Sequence, residues 1–443
     1  MTEQKVLTIM KYFFQILCSL AIICFYKDSF AIDTKECTLE EAIIIALKNN
    51  YSIHAIKDIR DASIYKIDQI KIQFAPSISS NYGITKWETS NPYYDLRGKE
   101  QYVWSISIIQ NIFSGFHTKT TWENAIIERD IQNLEISKKS SELIDAVQYN
   151  FYYLLKAEAS ITAAEASLKR LNEQLRISKE LYKEGMASKI DLLTAELEIS
   201  KAESNLLSAQ NERKKQILKL NSLLSIPENS IKYIGKLKKN TIKLTLNECL
   251  ILIENKNPEI GSNKKNIEIA KNNITLAKSS FYPKVDIHAT WSTSGNDASV
   301  KGNKLQTTGF SSWGFGVNFE WSIFNFGENY RDVKRAEKLY SSAKNNYISI
   351  LEDKKSILKT YFLELKNITK NISVYRKNID QANIIFKTEQ EKYIEKMNTI
   401  HDVLNSEATL RQAEKDYIES IALYNTTVSK IYLLVGLEQA ETL

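Results

Sequence analysis

Five prolines, 13 glycines, four cysteines and four histidines are all this chain of 443 residues holds of those types, and each shortage excludes something. None of His54, His117, His288 and His401 has a second histidine or cysteine at helical spacing, so no metal site is expected. Cys18 and Cys24 sit in an N-terminal apolar stretch. Beyond it only Cys37 and Cys249 remain, which make no disulfide framework and leave their own pairing open. The glycines build no phosphate-binding loop, and neither G-x-S-x-G nor H-E-x-x-H occurs. No enzyme and no cofactor is expected. After the first 30 or so residues no apolar run reaches membrane-spanning length. The net charge of +6 is spread over 59 basic and 53 acidic residues, which is a mixed surface and not a phosphate-neutralising stripe, so nucleic acid is not an expected partner. With 43% hydrophobic and 25% charged residues, neither disorder nor a polytopic helical membrane protein fits.

What is present begins with an export signal. Lys5 and Lys11 precede an apolar core from Tyr12 to Tyr26, and Ser29-Phe30-Ala31 offers small residues for cleavage after Ala31. An exported chain without a spanning helix is either soluble outside the cytoplasm or a β-barrel.

The remainder is one unit written twice. TLEEAIIIALKNNYSI (38–53) matches TLNECLILIENKNPEI (245–260), and Phe74 and Pro76 match Phe281 and Pro283. Later the offset grows to 211 residues. Ile112-Phe113 then meets Ile323-Phe324, and YKEGMASKIDLL (182–193) meets YIEKMNTIHDVL (393–404). The four extra residues fall in a polar loop between about 297 and 308. The repeats are expected at 32–227 and 228–443, each with short helices, a β-hairpin (about 77–112 and 284–324) and a coiled-coil hairpin (about 115–225 and 326–437).

The strands are read from period-two alternation. Ile78, Ser80, Tyr82 and Ile84 oppose Ser79, Asn81, Gly83 and Thr85; Tyr102, Trp104, Ile106 and Ile108 oppose Val103, Ser105 and Ser107. In the copy, Val285, Ile287, Ala289 and Trp291 oppose Asp286, His288, Thr290 and Ser292. Phe315, Val317, Phe319, Trp321 and Ile323 oppose Gly314, Gly316, Asn318, Glu320 and Ser322. An apolar, aromatic-ended face against a small polar one fits a membrane barrel, with Trp87, Trp104, Trp291 and Trp321 near strand ends. A soluble sandwich is the other reading, and four strands close a barrel only by oligomerising.

Residues 116–184 and 328–396 contain neither proline nor glycine, and at 1.5 Å per residue such a helix is a rod of roughly 100 Å. Leu192, Ala195, Ile199, Ala202, Leu206 and Ala209 step in heptads, as do Val403, Ser406, Leu410, Ala413, Tyr417 and Ser420. Gly185 then marks the turn between antiparallel helices, and Asp191 lies just inside the returning one, where a helix dipole favours a carboxylate. Taken alone, Tyr182 and Tyr393 are seam-packing residues.

This ordered set resembles the TolC-type outer-membrane efflux proteins of Gram-negative bacteria over essentially the whole mature chain. The features are the export signal, the duplicated unit, T-L-x-E, F-x-P before a strand, the IF pair and Y-x-x-G-M-x-x-x-x-D-L-L. The resemblance implies a mainly helical fold with strands: three chains build a transmembrane β-barrel above an α-barrel duct crossing the periplasm. The implied role is a passive exit channel for drugs, metals or secreted proteins. Its implied partners are two further copies, outer-membrane lipid, a periplasmic adaptor, and an inner-membrane pump or ABC exporter. It also implies that Asp191, Asp402 and Asn405 line the constriction, that Tyr182 and Tyr393 tie neighbouring hairpins, and that two tips touch the adaptor: Gly185-Met186-Ala187 and Lys396-Met397-Asn398. The chain departs from the family at Lys396, Asn398 and Asn405, where a glycine, an arginine and a second aspartate are usual. It also has Asn111 and Ser322 where proline often precedes the IF pair. The rival from another class is a periplasmic coiled-coil spacer without a pore, which has no use for Phe315, Val317, Phe319 and Trp321 facing solvent.

Overall fold

A computed structural model describes residues 35–86, 100–228, 230–295, 298, 300 and 310–437. The export signal, Trp87, Pro92 and most of the polar loop near 297–308 lie outside them.

Each repeat opens with a short strand, β1 (Lys35–Cys37) or β4 (Ile231–Tyr233), which pair in parallel. Helix α1 (Leu39–Asn49) follows the first and α5 (Leu246–Lys256) the second. Both start in a capping box, Thr38 with Glu41 and Thr245 with Glu248, so T-L-x-E is a helix start written in hydrogen bonds. Next come α2 (Tyr51–Ile72) and α6 (Pro258–Ser279). Their caps, Asn50 and Asn257, each also donate Nδ2 to the end of a distant helix, Leu223 O and Leu434 O, at 2.8 Å.

The strands β2 (Ser77–Lys86), β3 (Glu100–Ser114), β5 (Lys284–Gly295) and β6 (Phe310–Glu320) form one antiparallel sheet in that order. The β3–β5 ladder joins the repeats, with a register shift between Asn111 and Phe113. Register places Ile78, Ile108, Ala289 and Phe315 in one row across the sheet, and Ser79, Ser107, Thr290 and Gly314 in the row beside it on the opposite face. Among the described residues nothing covers the apolar face: Trp313 is 81% exposed, and Phe315, Val317 and Phe319 are all exposed. On the polar face Asn111 Nδ2 donates to Asp286 Oδ1 at 2.8 Å, and the Ser107 and Thr290 hydroxyls lie 3.3 Å apart. Strand β6 ends at Glu320, so Trp321 and Ile323, which continue the alternation in sequence, are outside it. Trp321 Nε1 instead donates to Phe281 O at 3.1 Å, and the chain turns through Phe326 and Gly327, both at positive φ.

From these turns rise α3 (His117–Lys183) and α7 (Glu328–Ile394), each 67 residues, or about 100 Å. Their returning partners are α4 (Lys189–Leu224) and α8 (Ile400–Val435), each 36 residues. Helix α3 packs against α2 and α4 on one flank and α6 and α8 on the other, whereas α7 packs mainly against α6 and α8, with smaller contacts to α5 and α3. The packing is heptad-like, with small Ala195 and Ala202 buried along α4.

The apolar residues form three clusters. One gathers Cys37, Ile53, Phe151, Leu155 and Leu224 under α1, and a second gathers Cys249, Ile253, Leu358 and Val428 under α5. The two cysteines thus lie in separate cores and no disulfide joins them. A third cluster, Leu171, Phe386, Tyr393, Ile400 and Leu404, holds the hairpin tips together.

Candidate functional site

At the first tip α3 ends at Lys183, and Gly185 takes φ +72°. The amides of Met186 and Ala187 both donate back to Leu181 O, at 2.7 and 3.2 Å. Helix α4 then starts in a capping box. Ser188 N donates to Asp191 Oδ2 at 3.0 Å, and Asp191 N donates to Ser188 Oγ at 3.2 Å. Asp191 is therefore held by the helix start it stabilises, with its carboxylate at the positive end of the helix.

The second tip is the same turn in different residues. Lys396 stands where Gly185 does and takes φ +62°, a conformation costing a side-chain-bearing residue about 1–2 kcal/mol. Met397 N donates to Lys392 O at 2.8 Å, as Met186 does to Leu181. Thr399 N and Oγ1 donate to Asp402 Oδ2 at 2.9 and 2.7 Å. Those two bonds, the hydroxyl first, hold the Asp402 carboxyl below its ordinary range, with smaller help from His401 and Lys392. Asn398 Nδ2 ties the turn to α7 through Glu389 O and Oε2, at 2.9 and 2.7 Å. Asn405 is exposed beyond it.

The two tyrosines differ. Tyr393 is 5% exposed, with its OH 3.3 Å from Ser178 Oγ of α3, and burial raises its pKa. Its counterpart Tyr182 is 44% exposed and has no such partner among the described residues. Met186 and Met397 are both exposed at the very ends.

The sequence gives no sign of what clamps the repeats together above the tips. Arg170 of α3 donates to Glu407 Oε1 at 3.1 Å and to both Glu414 carboxylate oxygens at 3.2 Å, all on α8. Ser167 Oγ adds a bond to Glu407 Oε1 at 2.6 Å. The repeat comparison holds one clue: both carboxylates recur, as Glu196 and Glu203, while Arg170 becomes Gln381.

At the other end of the molecule the apolar sheet face carries Trp104 and Trp291 edge to face at 5.3 Å on a diagonal, with Trp313 paired directly opposite Trp291. A second aromatic set, Phe113, Phe116 and Tyr282, closes the opposite end of the sheet with ring centroids 5.5–6.3 Å apart. No described helix is long and apolar enough to cross a membrane.

The family model described as outer membrane efflux protein matches residues 42–225 and 251–437. The chain is 21% identical over 416 residues to outer membrane efflux protein BepC of Brucella suis, covering 91% of this chain and 88% of that one. A shorter match, 24% identical over 221 residues, is to toxin and drug export protein A of Aggregatibacter actinomycetemcomitans. It covers 49% of this chain and 46% of that protein. Among solved structures, the outer membrane protein VceC of Vibrio cholerae superposes with a TM-score of 0.76 at 15% identity, over 90% of this chain and 96% of that one.

Proposed function

This chain belongs to the outer membrane efflux protein family, and we propose that three copies of it form a passive exit duct across the outer membrane and periplasm. The observation that carries this reading is the sheet: one face is a lipid-type apolar surface bounded by aromatic rows. The other is a water-type surface of serine, threonine, asparagine and glycine. Its edge strands β2 and β6, of 10 and 11 residues, have no partner strand within the described chain. Edges of that length need pairing, and β6 of one copy against β2 of the next removes both.

The duplication supports the same assembly in the helices. Leu404 of α8 is 7% exposed in the junction with α3, while its counterpart Leu193 on α4 is 55% exposed. Gln174 of α3 is 1% exposed, and its counterpart Ile385 on α7 is 52% exposed. A junction that is buried within the chain on one side has its duplicate laid open on the other. Docking α7 of one copy on α4 of the next repeats the internal geometry and closes the tube.

In that tube Asp191, Asp402 and Asn405 come to the narrow end, and threefold repetition makes each carboxylate a ring that favours cations. Tyr182 meets the neighbouring copy as Tyr393 meets α3. The exposed tips at Gly185-Met186-Ala187 and Lys396-Met397-Asn398 offer apolar methionines to a periplasmic adaptor, and an inner-membrane pump or ABC exporter delivers the cargo.

The test is conductance. Protein reconstituted in planar bilayers is expected to carry a small, cation-favouring current, and Asp191→Ala with Asp402→Ala to lower that preference. An unchanged preference removes the carboxylate rings, and a detergent-free soluble monomer in sedimentation removes the duct.

A further inference from the structure

We propose that a groove over α3, between α4 and α8, binds a small aromatic anion, a flat molecule carrying a sulfonate or carboxylate. The groove encloses about 570 Å³, within the range that holds drug-sized ligands. Its floor is made of small residues, among them Ala157, Ser160 and Ala164 of α3 and Ala202 of α4. At one end Tyr153 stacks on Tyr149 with ring centroids 4.4 Å apart, and Lys156 Nζ stands 5.1 Å from the Tyr153 ring. Arg411 and Lys415 of α8 form the far wall.

The charges in the groove are unequally spent. Lys156 is paired with Glu419 at 3.1 Å, and the carboxylate lining the groove, Glu212, is taken by Gln216 at 2.5 Å and Lys215 at 3.5 Å. Lys415 has no ion pair among the described residues. Arg411 Nη1 lies 3.5 Å from Glu407, which is already committed to Ser167 and Arg170, and makes no hydrogen bond. The exposed Lys415 head and the partly exposed Arg411 guanidinium, near an aromatic end over a small-residue floor, suit one ligand class, because a planar ring stacks while its anionic group takes Lys415 and the open edge of Arg411.

The molecule carries its own control. In the duplicate, the positions of Tyr153, Lys156, Ala164, Arg411 and Lys415 hold Glu364, Asn367, Tyr375, Ser200 and Ser204. The aromatic end, the cations and the space are lost together, as parts of one site would be. Both flanks of α3 belong to its own chain, so the groove is complete within one copy. Tyr153, Ser160 and Ala164 lie on the side of α3 opposite Phe151 and Leu155, which pack under α1. The groove therefore opens away from that layer, toward the bore. That the groove faces a bore rests on the duct reading; binding itself does not.

Equilibrium dialysis of the full protein in non-ionic detergent against naphthalene disulfonate tests the site, with uncharged naphthalene dimethanol as its counterpart. The disulfonate is expected to saturate at one molecule per chain and to bind about tenfold more tightly than the diol. Ala164→Tyr, which copies Tyr375 into the groove, is expected to abolish binding. Lys415→Gln, on an exposed residue that folding does not need, is expected to weaken it several-fold. Uptake that does not saturate, equal binding of the diol, or unchanged affinity in Lys415→Gln overturns the proposal. Current without saturable binding would remove the groove and leave the duct. Saturable binding without current would do the reverse.

Discussion

Arg170 and Glu407 meet 3.1 Å apart across the junction of the two repeats, and the Glu407 side chain is 2% exposed. A buried carboxylate is tolerable only while its cation is present. Arg170→Met is expected to cost roughly 3 kcal/mol, since Arg411 at 3.5 Å is a poorer substitute. Arg170→Met with Glu407→Met should recover most of that, and helical circular dichroism through thermal unfolding would show both.

The second tip is strained where the first is not. Lys396→Gly relieves a left-handed backbone and is expected to stabilise by about 1 kcal/mol, while Gly185→Ala destabilises by a similar amount. No atom lies within 4 Å of a Cβ added at Gly185, so the effect reads the backbone alone.

Cap and pore roles of Asp191 can be separated. Ser188→Ala removes one side of the capping box and should cost about 1 kcal/mol while leaving cation preference intact. Asp191→Ala should lose both stability and selectivity. Bilayer reversal potentials beside melting curves distinguish the two.

Asp145 of α3 accepts a hydrogen bond from Ser429 Oγ at 2.7 Å, yet burial is the larger influence and raises its pKa. Its folded form holds the proton more firmly than its unfolded form. The stability it contributes is full below the unfolded pKa and is lost as pH rises through the folded one. Asp145→Asn should therefore melt higher than wild type at neutral pH, with the gap closing in acid.

Leu193 tests assembly apart from folding. It is exposed in the single chain but equivalent to buried Leu404, and the proposed trimer puts it in the junction between copies. Leu193→Gln is expected to leave the helical signal unchanged and shift sedimentation from trimer toward monomer.

The parts of this fold legible in the sequence are those with local causes. Helix starts follow from Thr38, Thr245, Ser188 and Thr399 with a carboxylate three residues on, and helix length from missing proline and glycine. Sheet faces follow from side-chain alternation. Three things had distant causes and were not legible. The Arg170 clamp joins residues 237 positions apart, and nothing near either end announces it. Lys396 stands where the family usually has glycine, and the sequence does not say which backbone it takes; packing of α7 and α8 on both sides holds the positive φ and the lysine conforms. Strand β6 ends at Glu320 because β5 begins opposite it at Lys284, and Trp321 bonds Phe281 O instead of extending the ladder.

In the proposed trimer α3 has both its flanks inside one chain, while α7 and α4 each share one with a neighbour, and this sorts mutations by inheritance. A lesion on the flanks of α3, above its tip at Tyr182, damages only the polypeptide that carries it, and a cell with a second, intact gene copy would not notice. A lesion on the outer flank of α7 enters mixed trimers and spoils sound subunits with it. Recessive defects of this gene should therefore gather on the flanks of α3, and dominant ones on α4 and the outer flank of α7.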